Sequence, residues 1–297
     1  MADHATGIGP TAVPPLFAQL VDDTSLLRRR GAACEVGVAV ARYLADRDGP
    51  LGGLVGQLVC PVSRLSSLVA ELARARPDRP VDVSLVVDTG LGAVPKALST
   101  VFSRSGLITP RTVETAAPPD VDAIWLERVS EFVPEDVVAV VEPRRPQEAG
   151  EEGIAAWLTA VRRVADHGCA PKLRCGGPRP WDMPSSTEIE RFVEVMVETG
   201  RGFTTLGLSR AVRPAGENGV QPPHGIVNLI VAVARALGGG DMRGALETAD
   251  AAALVDEVVT LPERAAKGVR GLLWRCGADP EPEPVPGAQL AGLGLLS

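Results

Sequence analysis

The chain has 297 residues, 45% of them hydrophobic and 23% charged, which suits one large folded α/β domain and excludes wholesale disorder. A formal charge of −7 argues against nucleic-acid binding, which needs a basic face to neutralise phosphates. Aromatic residues make up only 3%, so stacking platforms for single strands are scarce as well.

In chain order, residues 1–14 are rich in Pro, Gly and small side chains and read as a flexible start. Two helices are predicted next, over Leu16–Leu27 and Cys34–Ala45. Leu54–Cys60 is a short β-rich run ended by Pro61, with a helix at Ser63–Arg76. Val81–Val87 is the clearest strand, punctuated by Asp88-Thr89-Gly90, and a helix follows at Ala93–Ser103. Arg111–Thr115 reads as a strand and Val121–Phe132 as a helix. The β-branched run Val137–Val141 ends at Glu142-Pro143, and a helix at Gly153–His167 leads to the strand Pro171–Cys175. Ser185, with Glu188 three positions on, has the form of a capping box for a helix to Thr199. Phe203–Leu208 is a sixth strand, and helices at Ile226–Leu237 and Met242–Val255 follow. The tail 279–297 reads as flexible, leaving 15–278 as a single domain.

Alternating strands and helices imply a parallel sheet, because parallel neighbours need a crossover and a helix usually supplies it. The predicted fold is therefore a TIM-like (β/α)-barrel with two N-terminal helices, in which strands seven and eight show no clear run and are either short and buried among Gly238–Asp256 or missing from an incomplete barrel. The alternative is an open doubly wound sheet, although no G-x-G-x-x-G follows the first strand.

Either architecture binds ligands at the carboxyl ends of its strands, which directs attention to Asp88, Glu114, Glu142, Lys172 and Arg174. Period-two alternation puts Lys172 and Arg174 on one face of one strand, so carboxylates or a bound anion should oppose them, Glu142 first. Lys is rare here: three of the 30 basic residues (Lys96, Lys172, Lys267), the rest Arg, in an Ala-, Gly-, Pro- and Val-rich sequence of the high-GC, actinobacterial type. A desolvated Lys beside another cation is a route to an amine nucleophile, which makes Lys172 the catalytic candidate with Glu142 or Asp88 as acid/base. Arg174 is the candidate anion clamp, and Gly176-Gly177 would let backbone N–H groups approach a phosphate or carboxylate. The bland reading is an ion-pair network of Lys172 and Arg174 with Glu142 and Asp88 that only ties strands together.

Asp22-Asp23, read as helical, offer a site for a divalent cation, against the simpler reading of a solvated face with Arg28–Arg30 as counter-charges. His224 and Asn228, after the long loop Arg213–Pro223, join Arg213 as substrate-binding candidates, with helix capping as the plain alternative for His224. His167 reads as a helix-end dipole partner and His4 as part of the flexible start. Cys175 is a reactive thiolate or, more simply, an inert buried thiol. Cys34, Cys60, Cys169, Cys175 and Cys276 are scattered without C-x-x-C spacing, and no metal or other cofactor is expected. The N-terminal residues lack a basic-then-apolar leader pattern. The apolar stretch Ile226–Leu237 is broken by Asn228 and Arg235, so a cytoplasmic protein without membrane contacts is expected, with homo-oligomerisation left open.

The segments L-V-D-D (Leu20–Asp23), K-x-R-x-G-G (Lys172–Gly177), G-L-x-x-x-V-R (Gly207 to Arg213) and H-G-x-x-N (His224 to Asn228) together resemble a mainly actinobacterial family of (β/α)-barrel proteins with no assigned activity. Members of that family carry a Lys near the start of the sixth strand and a His pair after Gly-Leu. Here those places read Gly202-Phe203-Thr204 and Ser209-Arg210, and Thr24–Arg28 replaces an aromatic, proline-bearing segment. The resemblance thus implies retained binding of a small anionic metabolite, with turnover altered or lost.

Overall fold

A computed structural model of the chain describes residues 13–27, 34–148, 150–216, 221–279 and 285–296. Eight parallel strands close into one barrel in sequence order. They are β1 (Val21–Asp23), β2 (Val55–Pro61), β3 (Val81–Val86), β4 (Ile108–Ala116), β5 (Val138–Glu142), β6 (Ala170–Arg174), β7 (Phe203–Leu206) and β8 (Leu273–Ala278). Closure is made by β1 against β8, with Val21, Asp22 and Asp23 opposite Cys276, Gly277 and Ala278. That pairing sets aside the open doubly wound sheet and makes the (β/α)-barrel complete.

Helices α1 (Val36–Arg47), α2 (Leu65–Ala75), α3 (Val94–Phe102), α4 (Ala123–Phe132), α5 (Glu151–Asp166) and α6 (Ser186–Thr199) alternate with the strands. After β7 come α7 (Ile226–Gly238), α8 (Met242–Glu247), α9 (Ala251–Val259) and α10 (Glu263–Leu272) before β8, and α11 (Pro286–Gly292) follows it. The capping box of α6 is present: Ser185 Oγ accepts the Glu188 amide at 3.2 Å, and Glu188 accepts the Ser185 amide at 2.6 Å.

Three expectations are corrected. Residues Leu16–Leu27 are not a helix, because Asp22 and Asp23 lie in β1 and Ser25–Leu27 forms a single 3-10 turn. The last strand is not within Gly238–Asp256, which holds helices and short connections and no strand, but at Leu273–Ala278. The tail is not wholly flexible, since α11 buries Leu290 and the chain beyond it buries Leu295 and Leu296 in the core. The expectations for residues 1–12 (with His4), Arg28–Arg30, the loop residues 217–220 and the tail residues 280–284 lie outside the described residues.

The apolar core is outside the barrel, in two clusters between strands and helices. Leu58, Cys60, Val83, Leu85 and Val113 meet α1 to α4 on one side, while Leu173, Phe203 and Cys276 meet α5 to α10 on the other. The alternate residues of the same strands face inward, and many are polar. Thr112 of β4 donates to Gln57 of β2 at 2.9 Å, and Lys172 of β6 donates to Glu114 of β4, each bond skipping the strand between. A TIM barrel is ordinarily filled by branched apolar layers. This one holds hydrogen-bonded and charged groups, whose burial is tolerable only because they satisfy one another.

Candidate functional site

The last residues of β2, β3, β5, β6 and β7, Pro61, Val86, Glu142, Arg174 and Leu206, ring a cavity of about 800 Å³. It therefore opens at the carboxyl ends of the strands, where barrel ligands bind. Asp88, Glu114 and Lys172 line the same cavity, with Ser63 and Arg64 from the turn after β2 and Leu26 and Leu27 from the turn after β1. Asp88, Glu114, Glu142, Lys172 and Arg174, each named from a strand end, thus converge on one space.

Their charges are arranged in two layers. Deeper in the barrel the Lys172 ammonium is 5% exposed and paired with Glu114, which also accepts Ser84 Oγ at 2.7 Å. The first neighbour of the amine is therefore a carboxylate rather than Arg174. At the rim Arg174 makes a two-pronged contact with Glu142, Nε at 2.7 Å and Nη2 at 2.8 Å, the fork geometry that orients a guanidinium firmly. Its Nη1 makes no protein hydrogen bond among those of the described residues. Asp88 does not join the network with Lys172; it accepts the Ser63 amide at 3.0 Å and the Ser63 hydroxyl, fixing the turn after β2 at the cavity edge.

Beneath Lys172 lies a buried carboxylate that the helical reading of Leu16–Leu27 concealed. Asp22 accepts the Gln57 amide at 2.6 Å and Arg275 Nη1 at 3.3 Å inside the barrel. Burial raises its pKa to about 6, against the pull of Arg275 and the Gln57 amide; Glu114 adds to the rise and Lys172 opposes it. Asp23 points elsewhere, accepting the Ser25 amide at 2.8 Å and facing Arg42 at 3.5 Å. The two neighbours thus turn to opposite sides of β1, each with its own partners. Among the described residues no group of three His, Cys, Asp or Glu could hold a metal ion.

Thr204 stands level with Lys172 and Arg275 in adjoining strands, so it faces the interior, and its hydroxyl is buried without a hydrogen-bond partner among the described residues. Nothing in the sequence separates Thr204 from any other strand Thr; only the strand pairing shows that it stands level with Lys172.

Other candidates have structural duties. Gly176 is required by the backbone of Gly207, 2.6 Å from where a Cβ would stand, and Gly177 by the Asp182 carboxylate at 2.4 Å. Their small size serves packing of the chain on itself. His224 is 1% exposed and donates from Nε2 to the Pro184 carbonyl at 2.7 Å, while Arg213 reaches its Nδ1 at 3.4 Å. Asn228 accepts the Arg213 amide at 2.8 Å and donates to the carbonyls of Ala245 and Thr248. These three hold the β7–α7 connection to its surroundings and line neither cavity that contains Lys172. Burial lowers the His224 pKa, the Pro184 carbonyl opposes that, and Arg213 reinforces it. Cys175 is fully buried, and desolvation pushes its thiol far above the ordinary range, which suits an inert side chain. His167 closes α5, its Nδ1 2.8 Å from the Arg163 carbonyl.

A second cavity, of about 240 Å³, shares Glu142, Lys172 and Arg174 with the first and continues over the loops after β5 and β6. Of its other charged residues, Arg144, Arg145 and Arg179 lie in loops and Asp182 ends the 3-10 turn Pro180–Asp182, where no periodic pattern marks them. No helix among the described residues is long and apolar enough to cross a membrane. The closed barrel with a polar cavity at its strand ends is compatible with a metabolite-binding enzyme. No family model matches the chain, and no curated protein matches it either.

Proposed function

We propose that the barrel mouth binds a small anionic carbonyl metabolite, and that the protein acts on it by chemistry of the aldolase, lyase or isomerase kind. The observation that carries this reading is the convergence of Lys172, Arg174, Glu114, Glu142 and Asp88 on one cavity at the strand ends. Arg174, held by Glu142, offers its remaining guanidinium face to the phosphate or carboxylate of the ligand. Glu114 takes a proton from the Lys172 ammonium, which frees the amine to attack the carbonyl carbon. Returning that proton to the carbinolamine oxygen releases water and leaves an iminium ion, which then accepts the electrons of an adjacent C–H or C–C bond. Glu142 or Asp88 receives the proton that this bond-breaking sets free.

Borohydride reduction in the presence of glyceraldehyde 3-phosphate, followed by peptide mass mapping, tests the reading. It predicts a reduced adduct on Lys172 that disappears in Lys172→Met. Absence of an adduct on Lys172 under saturating aldehyde rules out the amine mechanism.

A second reading, a barrel that binds its metabolite without turnover, is favoured by one observation: Lys172 and Arg174 each have a carboxylate partner within the barrel, Glu114 and Glu142. It predicts thermal stabilisation by the anion with no adduct.

A further inference from the structure

We propose that the arginine-lined cavity beside the barrel mouth is a phosphate subsite, so that the ligand is a phosphorylated carbonyl compound with its phosphate over the β5 and β6 loops and its carbonyl over Lys172. The inference rests on the barrel-mouth reading and supplies its substrate class.

The chain carries a formal charge of −7, yet this cavity gathers Lys172, Arg144, Arg145, Arg174 and Arg179 against two lining carboxylates, Glu142 and Asp182. Glu188 and Glu114, behind the lining, pair with Arg145 and Lys172. Five cations then face four carboxylates, and the surplus cation is Arg144, which is exposed and makes no hydrogen bond or ion pair among the described residues.

Fixed positions surround Arg144. Arg145 is committed entirely, its Nε and Nη2 to Glu188 at 2.8 and 2.7 Å and its Nη1 to the Trp181 carbonyl at 2.8 Å. It therefore acts as a brace that ties the β5 loop to the start of α6. Arg179 lies over the Trp181 ring at 5.4 Å and gives Nε and Nη2 to Asp182, leaving Nη1. Arg174 likewise leaves Nη1 beyond its bonds to Glu142. Three guanidinium groups thus keep N–H donors in reserve around one small space, two of them pre-oriented by carboxylates. A multi-oxygen dianion is the partner that such a set matches, because a single carboxylate offers only two oxygens and half the charge. The Arg174–Glu142 pair forms the wall common to both cavities, so a ligand seated on Arg174 has one end on each side of it.

The test is calorimetric titration of the full chain with inorganic phosphate and with acetate at constant ionic strength, for the natural protein, Arg144→Gln and Arg144→Lys. Saturable phosphate binding is expected, weakened about 10-fold in Arg144→Gln and largely restored in Arg144→Lys, with acetate failing to compete. Equal phosphate affinity in Arg144→Gln, no saturable phosphate binding, or equal competition by acetate would overturn the subsite. Arg144 is exposed, so loss of folding does not confuse the result. Arg144-dependent phosphate binding without an adduct on Lys172 supports the subsite and removes only the amine chemistry.

Discussion

Lys172 and Glu114 face each other inside the barrel from strands separated by β5, with the Ser84 hydroxyl holding the far oxygen of the carboxylate at 2.7 Å. Both side chains are below one-tenth exposed, so neither has water to fall back on when the other is removed. Breaking a buried pair from one side strands a charge, whereas replacing both members need not. Lys172→Met and Glu114→Gln are each expected to lose about 3 kcal/mol of unfolding free energy. The double variant should lose clearly less than the sum. A urea-denaturation double-mutant cycle measures this, and strict additivity would show that the two groups do not depend on each other.

Asp22 gives a pH dependence of definite sign. Its folded pKa of about 6 lies above the ordinary 3.8, so the folded protein holds the proton more tightly than the unfolded chain. The stability contributed here is fully present below about pH 4 and is lost as pH rises through about 6, a change of about 3 kcal/mol. Asp22→Asn abolishes that titration. Unfolding free energies of the natural protein and the variant, measured from pH 4 to 7, should therefore diverge in favour of the variant as pH rises. A constant gap across that window would contradict the assignment.

His224 behaves oppositely. Burial holds it neutral where the unfolded chain would take up a proton, so its contribution is present above about pH 6.5 and is lost as pH falls. His224→Gln should cost about 1–2 kcal/mol at pH 8 and less at pH 5. Because His224 ties Pro184 and Arg213 together away from both cavities, phosphate affinity should stay within about two-fold of the natural protein. A large loss of affinity with unchanged stability would return His224 to the site.

Thiol reactivity offers a check on the packing. Cys60, Cys169, Cys175 and Cys276 are buried, with Cys60 and Cys276 pushed by desolvation to about 12, while Cys34 is only partly covered. In the folded protein one thiol, Cys34, should react rapidly with an aromatic disulfide reagent, and the other four only on unfolding. Rapid labelling of Cys175 would show that β6 is less securely buried than described.

How far the sequence discloses this molecule follows the side chains themselves. Strands β2, β3 and β5 announce themselves by apolar runs and β4, β6 and β7 by apolar residues set among polar ones, because their outward faces meet helices, and the shared face of Lys172 and Arg174 follows from alternation alone. Strands β1 and β8 hide because the closing seam is polar: Asp22 and Arg275 face inward, and Gly277 is small where β8 meets β1. A three-residue strand reading Val-Asp-Asp carries no β signal, and Leu273–Ala278 carries Trp, Arg and Gly in place of an apolar run. For the site, strand-end position was enough to find Asp88, Glu114 and Glu142. It was not enough to pair Glu114 with Lys172, since that contact crosses the barrel, nor to find Arg144 and Arg179, whose loops have no period. The K-x-R-x-G-G glycines and the H-G-x-x-N segment stand out in the sequence, and in the fold Gly176 and Gly177 lie close against Gly207 and Asp182 while His224 and Asn228 hydrogen-bond to backbone carbonyls.

The measurement that bears most directly on the barrel mouth as a ligand site is the thermal transition of the natural protein and of Lys172→Met with and without glyceraldehyde 3-phosphate. Ligand bound only by the folded state must raise the transition temperature. A rise in the natural protein that is lost or strongly reduced in Lys172→Met is the predicted result. No rise in the natural protein, or an equal rise in both, would contradict a site built around Lys172.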